Sequence, residues 1–125
     1  MDCNLHRVDR MSKILESFEY SNAELILLQE CEEHEEKLIK DNRFIQRNYY
    51  VISTRNESHC VILSKLKPKW VKSVKLTKNS NKSALCAKFL FKTTTLSSFT
   101  ELVVSNVHLT SGNDFKITNF LFKII

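Results

Sequence analysis

A single glycine and a single proline occur in the 125 residues of this chain. Gly-rich loops of the P-loop or dinucleotide-binding kind are therefore excluded, because their backbones need several residues without a Cβ. No apolar run approaches the ~18 residues of a membrane-spanning helix. The four cysteines, Cys3, Cys31, Cys60 and Cys86, are spread singly and make no disulfide framework. The opening residues Met1-Asp2-Cys3-Asn4-Leu5-His6 lack a secretory leader pattern, so reduced thiols and an intracellular setting, cytoplasmic or nuclear, are expected. Cys31 and His34 form a C-x-x-H pair that His59-Cys60 could complete as a zinc site, but adjacent side chains on a strand point to opposite faces.

What is present fits one packed domain. Apolar residues make up 42% and charged residues 26%, in the range of globular proteins, and the length supports a real core. Nineteen Lys and Arg against 14 Asp and Glu give a net charge of +5, which suits a polyanionic partner such as nucleic acid or a phosphorylated small molecule.

From Leu5 to Tyr20 the residues Leu5, Val8, Met11, Ile14, Leu15 and Phe18 recur at spacings of three and four, predicting an amphipathic helix. Asn22 then suits the left-handed position that often closes a helix. The stretch Ala23-Glu24-Leu25-Ile26-Leu27-Leu28-Gln29-Glu30 follows, with four large apolar residues in a row. Such a run predicts a strand buried on both faces, parallel or central in its sheet, and a helix-strand pair that is half of a βαβ unit. It stops on Glu30, at the sheet edge where open α/β sheets place ligands, which makes that carboxylate the first candidate for chemistry. The acidic run from Glu32 to Glu36 admits a metal-binding cluster, but acids first and Lys37 and Lys40 last describe the solvated start of a helix. Beyond Arg47 short β-like runs predict strands at Tyr49 to Ser53, His59 to Ser64, Trp70 to Leu76, Ala84 to Phe91 and Leu102 to Leu109. Thr54 to Ser58 is expected to form a hairpin loop, and Lys78 to Ser83 and Thr93 to Thr100 are expected polar loops. The last strand ends near one titratable side chain, His108.

Three of these stretches together resemble the endonuclease/exonuclease/phosphatase superfamily. Leu25-Ile26-Leu27-Leu28-Gln29-Glu30 is similar to its "D-I-[IL]-x-L-Q-E" strand, His59-Cys60-Val61-Ile62-Leu63-Ser64-Lys65 to its "G-x-A-I-L-S-K" strand, and Val103-Val104-Ser105-Asn106-Val107-His108-Leu109 to its "V-x-N-T-H-L" strand. Their order and spacing agree with the family, and the resemblance runs from about Arg7 to Ser111. It implies an α/β (α+β) fold: part of a four-layer α/β sandwich, two sheets face to face with helices outside. It also implies a Mg²⁺-dependent (or Mn²⁺-dependent) hydrolase of phosphoesters in nucleic acids, inositol phosphates or sphingomyelin. Mg²⁺ needs only one or two carboxylates beside waters and substrate phosphate, so a strand-end Glu is a plausible ligand. By resemblance Glu30 is that ligand, Asn4 corresponds to an Asn that helps hold the metal, and His108 contacts the scissile phosphate or assists proton transfer.

The chain also departs from the family. Three residues before Asn4 cannot make the strand that should precede it. The "G-D-x-N" and terminal "S-D-H" segments have no counterpart, so residues 1–125 read as a single partial domain lacking its C-terminal half, with 112–125 an atypical apolar tail. The expectations are a phosphodiesterase or nuclease-like domain inactive alone, or alternatively a non-catalytic remnant binding nucleic acid or protein. The strands 24–29 and 102–107 should be interior strands of one sheet, with Glu30 and His108 at a common edge. The inner face of that sheet should be uncovered and prone to self-association.

Overall fold

The computed structural model describes residues 3–54, 59–76, 82–92, 98–108 and 121–122. In chain order its elements are α1 (Cys3–Ser21), β1 (Leu25–Leu28), α2 (Glu33–Asp41), α3 (Arg43–Asn48), β2 (Tyr50–Ser53), β3 (Val61–Ser64), β4 (Trp70–Lys75), β5 (Ser83–Lys92), β6 (Phe99–Asn106) and β7 (Leu121–Phe122). The protein is mixed α+β. The strands form two antiparallel sheets, ordered β2-β3-β1-β7 and β4-β5-β6. Residues 55–58 of the expected hairpin loop lie outside the described residues, as do most of the two expected polar loops and nearly all of the tail 112–125; where the loops are described, Ser83 opens β5 and Phe99 and Thr100 open β6, so these residues are strand and not loop. The antiparallel pairing of β2 with β3 is what such a hairpin would join.

All four residues of β1 are buried, as the apolar run predicts, and β1 is central, flanked by β3 and β7. The parallel, βαβ expectation is corrected: β1 runs antiparallel to β3, with Leu25 opposite Ser64 and Leu28 opposite Val61. An unbroken apolar run requires only that both faces be covered, and here the covers differ. Ile26 and Leu28 pack with Val61 and Leu63 against the helical layer, through Met11 and Phe18 of α1, Ile39 of α2 and Ile45 of α3. Leu25 and Leu27, with Ile52 and Ile62, point the other way and meet Leu85, Ala87 and Phe89 of β5 and Val104 of β6. The layers are therefore helices, first sheet, second sheet.

Two further expectations change accordingly. The strands 24–29 and 102–107 belong to different sheets, β1 to the first and β6 to the second, where β6 is an outer strand among the described residues. The inner face of the first sheet is covered by the second, and the open face is instead the outer side of the second sheet.

Local sequence explains the helical layer. Helix α1 closes on Asn22, which is left-handed (φ 50) and donates its backbone N–H to Phe18 O at 3.0 Å. Lys65, just after β3, bonds Asn22 Oδ1 at 2.5 Å and ties that helix end to the sheet. Helix α2 carries Glu33, Glu35 and Glu36 in its first turn and Lys40 in its last, complementing the helix dipole, with a Lys40–Glu36 ion pair at 2.8 Å. Asn42 caps α3 by accepting from the Ile45 N–H at 3.1 Å.

Candidate functional site

The two sheets are joined at one end by a buried amide. Asn106 is the last residue of β6, lies opposite Leu85, and is 1% exposed. Its Nδ2 donates to Leu28 O at 2.9 Å and to Val61 O at 3.0 Å, the carbonyls of the residue pair that ends the β1–β3 ladder. Its Oδ1 accepts from Gln29 Nε2 at 2.6 Å. Both amide hydrogens and the carbonyl oxygen are thus used, so the network fixes which way the amide points. A buried amide satisfied on all sides sets the lateral position of one sheet over the other, because any slip strands buried polar groups.

Alternation along an extended chain puts residue 108 on the same side as residue 106. His108 accordingly reaches over the end of β1, and its Nε2 lies 3.2 Å from Glu30 Oε1. The common edge expected for Glu30 and His108 is therefore present, although they arrive from separate sheets. Glu30 is 71% exposed and His108 21% exposed at the side chain, so the carboxylate is open to a ligand while the imidazole is held against the protein. The pair is ionic when the imidazole is protonated. At this exposure it adds little to stability, under about 1 kcal/mol.

The backbone beneath the pair is unusual. Glu30 and His59 adopt left-handed conformations, φ 56 and φ 50, in the connection where Cys31 N–H donates to His59 O at 2.8 Å. Glu seldom occupies this region and costs on the order of 1 kcal/mol there, whereas His visits it more readily. The positive φ of His59 is one that a glycine would adopt without a Cβ penalty. Strain concentrated under a titratable pair is characteristic of functional sites.

Neighbouring groups narrow the chemistry. Burial, reinforced by the negative charges of Glu35, Cys60 and Glu36, pushes the Cys31 thiol up to about 12, which removes it as a nucleophile or thiolate ligand near neutrality. Cys31 and Cys60 are buried whereas His34 and His59 are exposed, so the zinc grouping is not assembled. Gln29 Oε1 is buried with no hydrogen-bond partner among the described residues, an acceptor left over one residue before Glu30. Among the described residues no three His, Cys, Asp or Glu side chains gather as a metal cluster. Among the described residues Glu30 is an exposed carboxylate at this edge, beside His108. Asn4 falls in the first turn of α1, and its side chain lies outside the described residues.

Asn106 is the site residue that motif reading passed over, taking it as one letter of a strand. The available signal was a lone amide in an apolar run, two residues before His108 and therefore on its face. The chain matches no protein-family model, no curated protein and no solved structure, so the geometry itself carries the functional reading.

Proposed function

We propose that Glu30 and His108 are the carboxylate and imidazole of a Mg²⁺-dependent (or Mn²⁺-dependent) phosphoester hydrolase site, in a two-sheet sandwich of the endonuclease/exonuclease/phosphatase type. The substrate class is nucleic acid or another phosphoester. One observation carries this: side chains 78 positions apart, from different sheets, meet at 3.2 Å over a strained backbone and a buried amide latch.

The residues fit a hydrated divalent ion in part. Glu30 would hold it, with Asn4 the second ligand that the resemblance offers, and the orphaned Gln29 acceptor suits a bound water. The ion would supply positive charge to phosphate oxygens. His108 would hold or donate a proton at Nε2, and Asn106 keeps His108 in place. A positioned nucleophilic water and further stabilisation of developing charge are also required, and the described residues do not offer them. Each such group is worth roughly a hundredfold to a thousandfold, so the chain by itself is expected to bind the ion weakly and to hydrolyse phosphodiesters near background. The fourth layer of a family sandwich likewise has no counterpart among the described residues. That same shortage favours the second reading, a non-catalytic chain that binds nucleic acid or protein.

Paramagnetic line broadening by Mn²⁺ tests the proposal. Amide signals of residues 28–31 and 106–108 should broaden first, and Glu30→Gln should abolish the effect. Broadening centred elsewhere, or unchanged in Glu30→Gln, would refute the site. Metal-dependent hydrolysis that Glu30→Gln abolishes would confirm the site and overturn the view that the chain lacks the remaining groups.

A further inference from the structure

Charge is distributed very unevenly along this chain. Between Glu57 and Glu101 there are nine lysines and no Asp or Glu, while the rest of the chain carries 10 basic residues, 19 less those nine, against 14 acidic ones. Among the described residues Lys69, Lys72, Lys75, Lys82, Lys88 and Lys92 of this stretch lie in or beside β4 and β5, so the net charge of the whole understates the charge of the second sheet.

Register places the outer face of that sheet. Leu85, Ala87 and Phe89 point into the sandwich, so Cys86, Lys88, Leu90 and Lys92 point outward. Trp70 lies opposite Lys88 and Lys72 opposite Cys86, while across β5 Phe99 lies opposite Lys92. The face therefore carries Lys72, Lys88 and Lys92 and the rings of Trp70 and Phe99, with exposed Val74 and Val103 among them. Phe99 is 63% exposed, and the Lys72 ammonium sits 4.8 Å from the centroid of the Trp70 ring. On this face only Glu101 offers a carboxylate among the described residues, paired with Lys88 at 2.9 Å. Strand geometry puts the two rings roughly 15 Å apart, with lysines beside each.

We propose that the outer face of the second sheet binds single-stranded nucleic acid, with bases stacking on Trp70 and Phe99 and phosphates paired by Lys72, Lys92 and the lysines flanking β4. Aromatic faces on a basic sheet are the elements that such binding uses, and duplex bases, stacked on one another, could not reach the rings. A second copy presenting the same face would bring like charges together. An apolar covering helix would bury Lys72 and Lys92 with no carboxylate among the described residues to match them. The inference goes beyond the phosphoester reading and does not rest on Glu30 or His108, so either can fail alone.

Trp70 is the chain's only tryptophan, so its emission reports this face directly. Titration of the full chain with a 20-nucleotide oligo(dT) or oligo(U) should quench Trp70, with fluorescence anisotropy of the labelled oligonucleotide giving the same affinity. If four phosphates are neutralised, affinity should fall roughly 50-fold between 50 and 200 mM salt. Lys72→Glu combined with Lys92→Glu, at exposed positions that leave the fold intact by circular dichroism, should weaken binding at least tenfold, and Lys37→Glu on α2 should not. Trp70→Ala should lose about fivefold to a hundredfold and Trp70→Phe should restore most of it. Saturation without quenching, affinity unmoved by the paired lysine change, or preference for vesicles of phosphatidylcholine and phosphatidylserine over the oligonucleotide would overturn the proposal.

Discussion

Replacing Glu30 separates what its backbone costs from what its side chain does. At φ 56 a residue with a Cβ pays about 1–2 kcal/mol, whereas glycine pays nothing for the conformation. Glycine in turn gives the unfolded chain extra freedom, worth about 0.4–1 kcal/mol against it. Glu30→Ala and Glu30→Gly both lose the His108 contact, so that term cancels in the comparison. The difference leaves Glu30→Gly more stable than Glu30→Ala by about 1 kcal/mol, the reverse of the order at ordinary positions. With a urea dependence of about 2 kcal/mol/M, the unfolding midpoint of the glycine variant should lie roughly 0.5 M higher. Glu30→Gly should equal or exceed the natural chain as well, because the exposed ion pair contributes under about 1 kcal/mol. Stability gained by deleting the Glu30 carboxylate would support the proposal that the glutamate serves chemistry. An alanine variant as stable as the glycine variant would refute both the strain and the inference drawn from it.

Other perturbations test the remaining links. Asn106→Ala should cost about 2–4 kcal/mol, because it strands the buried carbonyls of Leu28 and Val61, and should lower the melting temperature by roughly 10 °C; a shift within two degrees would show that the latch is not needed. Leu63→Ala, at a fully buried position facing the helices, should cost about 2–5 kcal/mol by chemical denaturation, and a loss under 1 kcal/mol would contradict the layering. The Cys31 thiol is raised from its ordinary 9.0 to about 12 by burial, so the unfolded chain ionises first and stability should fall as pH rises from about 9 toward 12, by up to about 1.4 kcal/mol per unit. Denaturation midpoints at pH 8, 9.5 and 11 should show this slope, and Cys31→Ala should reduce it, leaving the part owed to Tyr49, which burial also raises; an equal slope in the variant would assign the effect elsewhere. At pH 8 iodoacetamide should modify Cys86, which is part-exposed, and spare buried Cys31 in the folded chain, as peptide mapping would reveal.

The amino-acid order alone settled the elements whose causes are local. The three-and-four spacing from Leu5 to Phe18 gave α1, Asn22 gave its left-handed stop, and the acids and lysines around Lys37 gave α2. Alternation and β-branching placed the strands from β2 to β6 within a few residues. Helix α3 escaped notice because six residues are too few to show a period, and its start depends on one capping amide, Asn42. The direction of β1 was not legible, since four buried residues look alike whether their second cover is a helix layer or a sheet. Likewise the left-handed backbone at Glu30 and His59, beside the end of the β1–β3 ladder, has no signature in the residue types there. Motif resemblance marked Glu30 and His108, but only the packing of two sheets brought them together, because contacts between residues 78 positions apart are decided by which faces bury each other. Asn106 belongs wholly to that second level: its three hydrogen bonds exist only where β6 lies over the end of β1 and β3.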